Sequence, residues 1–454
     1  MKPLDNYDVI IIGGGAAGAI AAIATGRNGA KTLLVEQYGY LGGALTTQGV
    51  GPQMSYHAGK YQVVDGIAGE FIRRMTKEGF SPGHMDDFVG YCSSVTPFDS
   101  EGMKLVLENM VSEAGAQILY HTICTGCETQ NGRITKVKLF SKNGHFEASA
   151  KIFIDASADA DLSVFAGVAT EFGRKEDGLA QPMTMNMKLY NVDREKMISY
   201  VQNSRDDMLP TMPFDRLREI SRTGIQGGYS IIKKAKEEGT FTVDRLHLLI
   251  FETNNTGEFI VNMSRIIKKC GVDPFDLTAA EIEGRRQCHE LFRFLKDKIP
   301  GFENCKMHST GPNIGIRETR RIQGVYQLTG EDLLNNVMFD DAIAMAGYPI
   351  DIHSPNNAEM NHRFMKPGSW YSIPYRSLIT KEISNLIVAG RCLGATHEAL
   401  AAVRVTPIVM AMGHAAGIAA AMAGKSGGSV RDIDTGVLMD TLKKEGAFLE
   451  PYKA

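Results

Sequence analysis

The sequence has little of what marks secreted, membrane-spanning or nucleic-acid-binding proteins. Its 454 residues include seven cysteines, one tryptophan and no run of eighteen consecutive apolar residues. Scattered cysteines do not make a disulfide framework, and a transmembrane helix needs a longer apolar run. The formal net charge is −3, and no long basic run gives a footprint for nucleic acid or an anionic membrane. We therefore expect a cytoplasmic protein with neither a nucleic-acid nor a membrane partner.

The cysteines are also too scattered for a metal or iron–sulfur cluster. Only Cys124 and Cys127 form a Cys-x-x-Cys pair, and no second pair completes a zinc or iron–sulfur set. We expect no metal. The pair is predicted to lie where a strand ends in a turn, and a structural role is favoured over that of a redox dithiol.

The strongest positive feature is a glycine-rich turn near the N-terminus. The apolar residues 8–12 predict a buried parallel strand, and the alanine-rich residues 16–27 predict the helix that follows. The glycines between and within them have separate roles. Gly13 permits a tight turn, Gly15 lets a pyrophosphate approach the backbone, and Gly18 lets helix and strand pack closely. This arrangement predicts a dinucleotide site.

The remaining contacts of that site follow from the same pattern. A pyrophosphate would lie at the helix N-terminus, beside Ala16 and Ala17, where unpaired amides and the helix dipole favour an anion. Glu36 closes the second strand, eighteen residues past Gly18, and a carboxylate there accepts hydrogen bonds from ribose hydroxyls. Gln37 adjoins it. A carboxylate at this position repels a 2′-phosphate, which argues against NADP in this pocket.

Two further features favour FAD over NAD. Gly42, Gly43 and Ala44 follow the acidic residue and suit a backbone that passes close to a ribityl chain and pyrophosphate. Near the other end of the chain, a second strand runs into Gly390 and Arg391 before an alanine- and glycine-rich helix. A cofactor that is held from both ends of the chain is long, and FAD is the long dinucleotide that enzymes hold in this way.

The fold expected from these patterns is α/β with two domains. Residues 1–172 and 366–454 are predicted to form a Rossmann-like FAD-binding domain with a parallel sheet, and residues 173–365 an inserted α+β substrate domain. The last long helix should begin near Pro407, a residue suited to the first turn. In the inserted domain we expect strands at 180–192, 246–252 and 258–263, and helices at 193–203, 213–222, 229–239 and 279–295.

Five segments, in chain order, resemble one family. They are residues 39–43, 155–161, 178–184, 313–322 and 389–399. Together they resemble the FAD-dependent oxidoreductase family with the two-dinucleotide-fold flavoprotein core. The chain is similar to the flavin module of heterodisulfide reductase, and more distantly to fumarate reductase and succinate dehydrogenase flavoproteins.

The resemblance implies further cofactor contacts from Ala156, Ser157 and Asp159. Such flavoproteins usually carry a glycine before this aspartate, whereas this chain has Ala158. Relatives that attach FAD covalently use a histidine shortly after the acidic residue, and residues 44–47 here are Ala-Leu-Thr-Thr. Non-covalent FAD is therefore expected.

The resemblance also places residues 391–407 beside the isoalloxazine ring. A helix that starts at Pro407 would direct its positive end at the flavin N1/O2 edge and stabilise the reduced anion. His397 is the first candidate for an active-site acid or base, with Glu398 as its partner. The alternative is that His397 only hydrogen-bonds the cofactor or a loop carbonyl.

Arginines suggest how a substrate is held. Arg317, Arg320 and Arg321 lie within five residues, either as a clamp for a carboxylate or phosphate or as an ion-paired network at the domain interface. Arg404 precedes the last long helix and could meet an anionic substrate or the flavin. His353 and Tyr371 face the substrate in one interpretation and are packing residues in the other.

Two functions remain open at this stage. The first is a self-contained flavoenzyme that transfers a hydride between a small organic substrate and flavin N5. The second is a flavin electron-transfer protein that works with a redox protein partner, although the chain has no iron–sulfur cysteine pattern. A flavin-dependent RNA-modifying protein would need a basic surface. No oligomeric state is indicated.

Overall fold

The structure is a computed structural model that describes residues 4–356 and 360–453. The first part of the chain contains β1 (Leu4–Ile12), α1 (Ala16–Arg27), β2 (Thr32–Val35), α2 (Ala44–Thr47), β3 (Gln53–Met54), β4 (His57–Ala58), β5 (Tyr61–Gln62), α3 (Ile67–Lys77), β6 (Met85–Asp86), β7 (Ser94–Thr96), α4 (Ser100–Glu113), β8 (Gln117–Leu119), β9 (Ile123–Gln130), β10 (Arg133–Ser141), β11 (Gly144–Asp155), α5 (Asp161–Phe165) and β12 (Thr170–Phe172).

The middle part contains β13 (Met187–Tyr190), α6 (Arg194–Asn203), β14 (Gly224–Gly227), α7 (Tyr229–Glu237), β15 (Leu248–Glu252), β16 (Phe259–Val261), α8 (Pro274–Lys298), β17 (Lys306–Thr310) and β18 (Arg320–Ile322). The last part contains α9 (Gly330–Leu334), β19 (Ala342–Ala346), β20 (Ile350–His353), β21 (Met360–Arg363), β22 (Tyr371–Pro374), β23 (Leu386–Val388), α10 (His397–Val403), α11 (Thr406–Lys425) and α12 (Thr435–Lys444).

A seven-stranded mixed sheet joins the two ends of the chain. Its order is β8-β2-β1-β11-β10-β9, and β23 also pairs with β11. Strands β8, β2, β1, β11 and β23 run parallel to one another, whereas β10 pairs antiparallel with both β11 and β9. The α/β class and the Rossmann-like parallel sheet are confirmed.

The long strand β11 holds this sheet together because its two halves have different partners. Its first half pairs with β10, and its last three residues pair with β23, so that Asp155 lies opposite Val388. On its other side, Asp155 lies opposite Ile12 of β1. The carboxyl ends of strands from distant parts of the chain therefore meet at one edge, where open α/β sheets bind ligands.

Two helices, α1 and α11, pack closely on this sheet through small residues. A Cβ on Gly413 would lie 2.2 Å from the Ala17 carbonyl oxygen, and one on Gly417 would lie 2.5 Å from that of Ala21. A step of four residues along α11, from Gly413 to Gly417, matches a step of four residues along α1, from Ala17 to Ala21. The two helices therefore run in the same direction. The alanine- and glycine-rich composition of the last long helix therefore permits this close contact.

Helix α11 is also long and apolar enough to cross a membrane by length and composition. However, 83% of its most apolar window is buried inside the protein. It lies against α1 and the parallel sheet, where a core helix belongs.

The hairpin between β9 and β10 turns at Asn131 and Gly132. Both residues have positive φ angles, 50° and 70°, as a type I′ turn requires. The predicted place of the Cys-x-x-Cys pair is wrong, because Cys124 and Cys127 lie within β9 rather than in a turn. Burial raises the pKa of Cys124 to about 12 and that of Cys127 to about 11. Both thiols are therefore protonated at neutral pH, which fits the structural role.

The inserted unit is built on a five-stranded antiparallel sheet in the order β14-β15-β16-β13-β17. The strand expected at 180–192 is shorter, because residues 183 and 184 form only isolated bridges to Ile266 and Gly315. The helix expected at 213–222 is wrong. Only a 3-10 turn forms at Phe214–Arg216, and Leu217 is the one fully buried side chain in that segment. Helix α8 extends beyond the expected 279–295 at both ends.

Buried apolar side chains form two main clusters that bear on the domain boundaries. One cluster runs from Met183 to Ile314. The other joins residues 7–168 to residues 322–449. On this basis we propose that the chain returns to the first domain near residue 320, earlier than the boundary at 366 that the sequence suggested.

Gly413→Ala is expected to destabilise the protein, because the new Cβ would lie 2.2 Å from a backbone oxygen of α1. Overpacking of this kind lowers the free energy of unfolding by about 1–3 kcal/mol. Gly424→Ala in the same helix is the matched control, since its Cβ would lie 3.9 Å from the nearest atom. Urea unfolding followed by circular dichroism measures both variants. Equal effects would contradict the close-packing role.

Candidate functional site

A cavity of about 500 Å³ opens at the edge where the parallel strands end. This volume lies in the range of small-molecule and cofactor sites. Thirteen of the cofactor contacts expected from the sequence line it, and they come from both ends of the chain: Gly13, Gly15, Ala16, Ala17, Glu36, Gln37, Gly43, Ala44, Ala156, Ser157, Asp159, Gly390 and Arg391.

Three expected contacts do not line this cavity and support it instead. Gly18 packs against the turn, since a Cβ there would lie 1.8 Å from the Gly13 carbonyl oxygen. The Gly42 amide donates a hydrogen bond to the Gly14 carbonyl oxygen at 3.0 Å. Pro407 is buried in the first turn of α11, next to Thr406, which does line the cavity.

The two glycines of the first turn differ in whether protein packing requires them. Gly13 has φ +101°, and a Cβ there would meet the Ala156 carbonyl oxygen at 2.4 Å. Gly15 has no such neighbour, because its Cβ would lie 3.7 Å from the nearest atom, Cα of Gly43. Protein packing therefore does not require glycine at position 15. Its missing side chain leaves the backbone open to the cavity, which fits a pyrophosphate.

Two helix N-termini also face this region without caps. Helix α1 has Gly15 at its N-cap and α11 has Val405, and neither has a capping side chain or an acidic residue in its first turn. Their free amides and dipoles favour a negative charge. Gly413, seven residues into α11, lies beside Ala17, one residue into α1. The N-terminus of α11 therefore extends about six residues, or about 9 Å, past the N-terminus of α1. The cavity thus has two separate anion-favouring points.

Glu36 occupies the position expected for a ribose contact. Its carboxylate accepts hydrogen bonds from the amides of Gly14 at 2.6 Å and Tyr38 at 2.8 Å. Burial raises the pKa of Glu36, and these backbone donors oppose the shift. The side chain is held rigidly at the cavity wall, where an oxygen can also accept from hydroxyl groups.

In the loop after β11, Ala158 stands where related flavoproteins usually carry a glycine. Ala158 has φ +70°, a left-handed conformation that costs a residue with a Cβ about 1–2 kcal/mol. Arg391 holds this loop by donating to the Ala158 carbonyl oxygen at 3.1 Å and by pairing with Asp159. Arg391 also donates to the Ile316 carbonyl oxygen at 2.7 Å. It therefore connects the loop to the segment that leaves the inserted unit.

A second cavity of about 210 Å³ adjoins the first, and we call it the substrate cavity after the role proposed for it below. It lies between the inserted unit and the start of α11. The two cavities share part of their lining: Ala44, Gln48, Ile316, Arg391, Arg404 and Thr406. A ligand in the substrate cavity would therefore lie next to a ligand bound at the shared part of the larger cavity.

Arg317 and Arg404 line the substrate cavity. Arg317 uses Nη1 to donate to the Pro182 carbonyl oxygen at 2.7 Å and to Thr184 Oγ1 at 2.6 Å. No carboxylate within ion-pair distance of Arg317 occurs among the described residues. Burial, with the nearby charge of Arg404, lowers the pKa of Arg317 to about 9. The Asp351 carboxylate opposes this shift, and Arg317 is still a cation at neutral pH, although no carboxylate of the described residues lies within ion-pair distance of it.

Asp351 is the buried carboxylate of this cavity. His353 Nε2 lies 3.2 Å from Asp351 Oδ2, and Arg404 Nη2 lies 4.0 Å from the same oxygen. Burial opposes ionisation of Asp351, but His353 and Arg404 outweigh it and hold its pKa below the usual range. Burial lowers the pKa of His353 to about 3. At neutral pH the cavity therefore holds an ionised Asp351 beside a neutral His353.

The sequence-based pairing of His397 with Glu398 is wrong. His397 Nδ1 lies 2.8 Å from Glu318 Oε2, whereas the side chain of Glu398 is exposed. Glu318 is buried and also pairs with Arg321. Neither His397 nor Glu398 lines either cavity. Adjacency in sequence favours Glu398, whereas the actual partner, Glu318, lies 79 residues earlier in the chain.

The three neighbouring arginines divide between the two expected roles. Arg320 donates to the Asp159 carbonyl oxygen at 2.7 Å and pairs with Asp161, and Arg321 pairs with Glu318. These two brace the loops around the cofactor cavity. Arg317 instead lines the substrate cavity. His353 lines it too, whereas Tyr371 is buried and donates to the Tyr348 carbonyl oxygen at 3.2 Å.

Sequence reasoning missed several polar residues of the substrate cavity. They share one feature, which is a position on a strand or loop outside the glycine-rich segments: Tyr91, Asn186, Gln226, Asn262, Asp351 and His362. One signal was present. Met183, Met185 and Met187 alternate and are buried, as expected for core residues, so the residues between them face the other way.

Comparisons with known proteins agree with this geometry. The family described as FAD dependent oxidoreductase matches residues 8–445. Digeranylgeranylglycerophospholipid reductase 2 of Methanococcoides burtonii is 27% identical over 214 residues, which are 44% of this chain and 49% of the reductase. The chain thus spans about half the length of that relative. The tRNA uridine 5-carboxymethylaminomethyl modification enzyme MnmG of Campylobacter fetus is 24% identical over 488 residues, covering 99% of this chain and 68% of the enzyme.

Solved structures share the fold. A geranylgeranyl bacteriochlorophyll reductase-like protein from Thermoplasma acidophilum aligns with a TM-score of 0.51 at 14% identity, over 98% of this chain and 85% of that one. The p-nitrophenol 4-monooxygenase PnpA from Pseudomonas putida aligns with a TM-score of 0.51 at 10% identity, over 97% and 84%. At these identities the likeness concerns the fold alone.

Gly15→Ala is expected to spare the apoprotein and weaken FAD binding. The new Cβ meets no atom within 3.7 Å and the backbone is extended, with φ −64° and ψ −173°. The free energy of unfolding without FAD should stay within about 0.5 kcal/mol of the unsubstituted protein. The dissociation constant of FAD should rise about tenfold or more, because a methyl group would obstruct the pyrophosphate. Equal FAD affinity in a titration would contradict this site, and Gly424→Ala is the control.

His397→Ala is expected to act on stability rather than on the cofactor. Loss of the hydrogen bond to the buried Glu318 should lower the free energy of unfolding by about 1.5–3 kcal/mol. The visible flavin spectrum and the FAD affinity should not change, because His397 lines neither cavity. Unaltered stability with an altered pH profile of flavin reduction would restore His397 as an acid or base.

Proposed function

The chain belongs to the FAD-dependent oxidoreductase family, and we propose that it exchanges a hydride between non-covalent FAD and a small organic anion held in the substrate cavity. The observation that carries this proposal is the shared lining of the two cavities at Arg391, Arg404 and Thr406. Bound FAD supplies a centre that accepts or donates a hydride. The chain itself positions the substrate, excludes water and sets the local charge.

The start of α11 supports this arrangement electrostatically. Thr406 lines both cavities, and the first turn of α11 carries no capping side chain or acidic residue. Its dipole favours negative charge at the junction of the cavities. Charge that develops on a cofactor or a substrate at this point would be stabilised by groups that are already in place.

Arg317 supports an anionic substrate. A buried charge without a partner is costly, and proteins normally pair it with a carboxylate, a phosphate or a metal. Within the described residues, the hydrogen bonds of Arg317 use only Nη1. Its Nη2 and Nε can therefore bind a carboxylate through a planar fork. Arg404, which Asp351 approaches only to 4.0 Å, adds a second positive charge.

The size of the substrate cavity supports a small substrate. Its volume of about 210 Å³ lies below the roughly 300–1,000 Å³ of pockets for drug-sized ligands. Part of its wall is apolar, with Val89, Leu249 and Phe251 among its lining residues. A compact acid with an apolar body fits this combination. A chain as long as the lipid named for the archaeal reductase would not fit within it.

The residues proposed to act here differ from those first expected. Arg317 and Arg404 keep their proposed role as contacts of the substrate. We do not assign His397 or Glu398 to catalysis, because both lie outside the two cavities. Asp351, His353 and His362 are titratable groups that do line the substrate cavity.

Arg317→Met is expected to weaken binding of a small carboxylate by about tenfold or more, since a hydrogen bond to a charged group contributes about 1.5–3 kcal/mol. The probe is 4-methylpentanoate, titrated into the FAD-loaded protein and followed by the visible difference spectrum. Arg320→Met is the matched control. It removes a guanidinium that binds Asp159 and Asp161 and should lower stability without changing the affinity for the probe.

Hydride exchange is tested on the same proteins without oxygen. A small carboxylate that donates a hydride should bleach the visible flavin band, and Arg317→Met should slow this bleaching. Neutral alcohols and amides with the same carbon skeleton are the comparison. Equal bleaching by the neutral compounds, or unchanged bleaching in Arg317→Met, would contradict an anionic substrate.

A further inference from the structure

Three amide side chains form a row on the sheet face that borders the substrate cavity. Gln226 of β14 pairs with Leu249 of β15. Asn262 follows β16, and its backbone N–H donates to the Leu249 carbonyl oxygen at 2.9 Å. Asn186 precedes Met187, which pairs with Val261. Cross-strand neighbours lie on the same face of a sheet, so these positions make one row, and all of them line the cavity.

The opposite face of this sheet is apolar and buried. Met185, Met187, Ile225, Ile250 and Val261 all belong to the core of the inserted unit. A strand presents alternate residues to its two faces. The amides therefore cannot turn into the core without displacing it, and the pattern places them at the cavity.

Two of these amides have an acceptor oxygen without a partner. Asn186 and Gln226 are buried, with 3% and 6% of their surface exposed. Among the described residues, no group donates a hydrogen bond to Asn186 Oδ1 or Gln226 Oε1. The Asn186 amide nitrogen donates to the Gln48 carbonyl oxygen at 3.2 Å, which fixes which end of this amide faces the cavity.

The carboxylate of Asp351 adds a third acceptor to the same cavity. Its Oδ1 has no hydrogen bond within the described residues, and His362 Nε2 approaches it only to 3.5 Å. Leaving a buried acceptor unpaired costs about 1–3 kcal/mol each. A ligand that only accepts hydrogen bonds would satisfy Arg317 and Arg404 but would leave all three of these oxygens unpaired.

From this pattern we propose that the substrate carries an N–H or O–H donor, on an amine or a hydroxyl group, in addition to its acidic group. Asn186 and Gln226 bind this donor and determine specificity for it, while Arg317 and Arg404 bind the acid. The inference rests on the proposed function, since it concerns the same cavity. It narrows the substrate class to small amino or hydroxy acids with an apolar body.

Three compounds that differ only at C2 test this assignment: leucine, 2-hydroxy-4-methylpentanoate and 4-methylpentanoate. Each is titrated into the FAD-loaded protein without oxygen; a shift of the visible flavin spectrum reports binding, and bleaching reports reduction by the bound compound. At least one of the two donor-bearing compounds should bind about tenfold or more tightly than 4-methylpentanoate, because unpaired acceptors are costly. An advantage of leucine alone identifies an amine donor, and one of the hydroxy acid alone identifies a hydroxyl.

Gln226→Met keeps the length of the side chain and removes the acceptor. We expect it to reduce the advantage of the donor-bearing compound to less than about threefold while the affinity for 4-methylpentanoate stays unchanged. Asn186→Leu gives an independent second variant if Gln226→Met does not fold. Gln202→Met is the control, because Gln202 lies in α6 and donates to the Phe214 carbonyl oxygen at 2.8 Å, away from the cavity.

The results separate this inference from the proposed function. If wild-type protein binds 4-methylpentanoate through Arg317 but shows no preference for a donor, the inference is wrong and the anion site stands. The inference is also wrong if the preference survives both Gln226→Met and Asn186→Leu. If none of the three compounds binds at millimolar concentration, the assignment to small amino or hydroxy acids is overturned. Because 4-methylpentanoate is also the probe for Arg317, this result would contradict the proposed anion site as well.

Discussion

The site depends on the close parallel contact between α1 and α11. At Gly413 and Gly417 the backbone of one helix lies against the other with no room for a methyl group. This contact aligns two uncapped helix N-termini in the same direction, about 9 Å apart along the helix axes, and both border the larger cavity. A larger residue at either glycine would separate the helices and move both anion-favouring points.

Charge in this protein is divided between bracing and binding. Arg320, Arg321 and Arg391 each have a carboxylate partner and hold the loops around the cavity. Arg317 has no such partner among the described residues and faces the adjoining cavity. Buried ion pairs add little net stability, but breaking one is costly, which suits them to fixing geometry. A cation that makes no direct ion pair is instead suited to a ligand that brings its own negative charge.

The sequence predicted the parts of the fold that are local. Patterns within a few turns or one βαβ unit predict the turn at Gly13 and Gly15, the carboxylate at Glu36 and the small residues of α11. What it could not supply is pairing between distant segments. Glu318 reaches His397 only because the segment before β18 meets the start of α10 in the folded chain, and Gln226 joins Asn186 only across three strand pairings. No period within one segment reveals such neighbours.

The last three residues of β11 pair with β23, which has a consequence for how the chain is made. The ribosome adds about 230 residues between Asp155 and Leu386, which takes roughly 10–50 s at usual rates of synthesis. During that time the edge of β11 and the small-residue face of α1 have no partner. The inserted unit, whose core is one continuous segment, emerges complete in the interval. The nascent chain therefore carries a complete inserted unit while the domain around it still lacks β23 and α11. In ribosome-bound chains of increasing length, this delay would be measured as protease sensitivity of the N-terminal part.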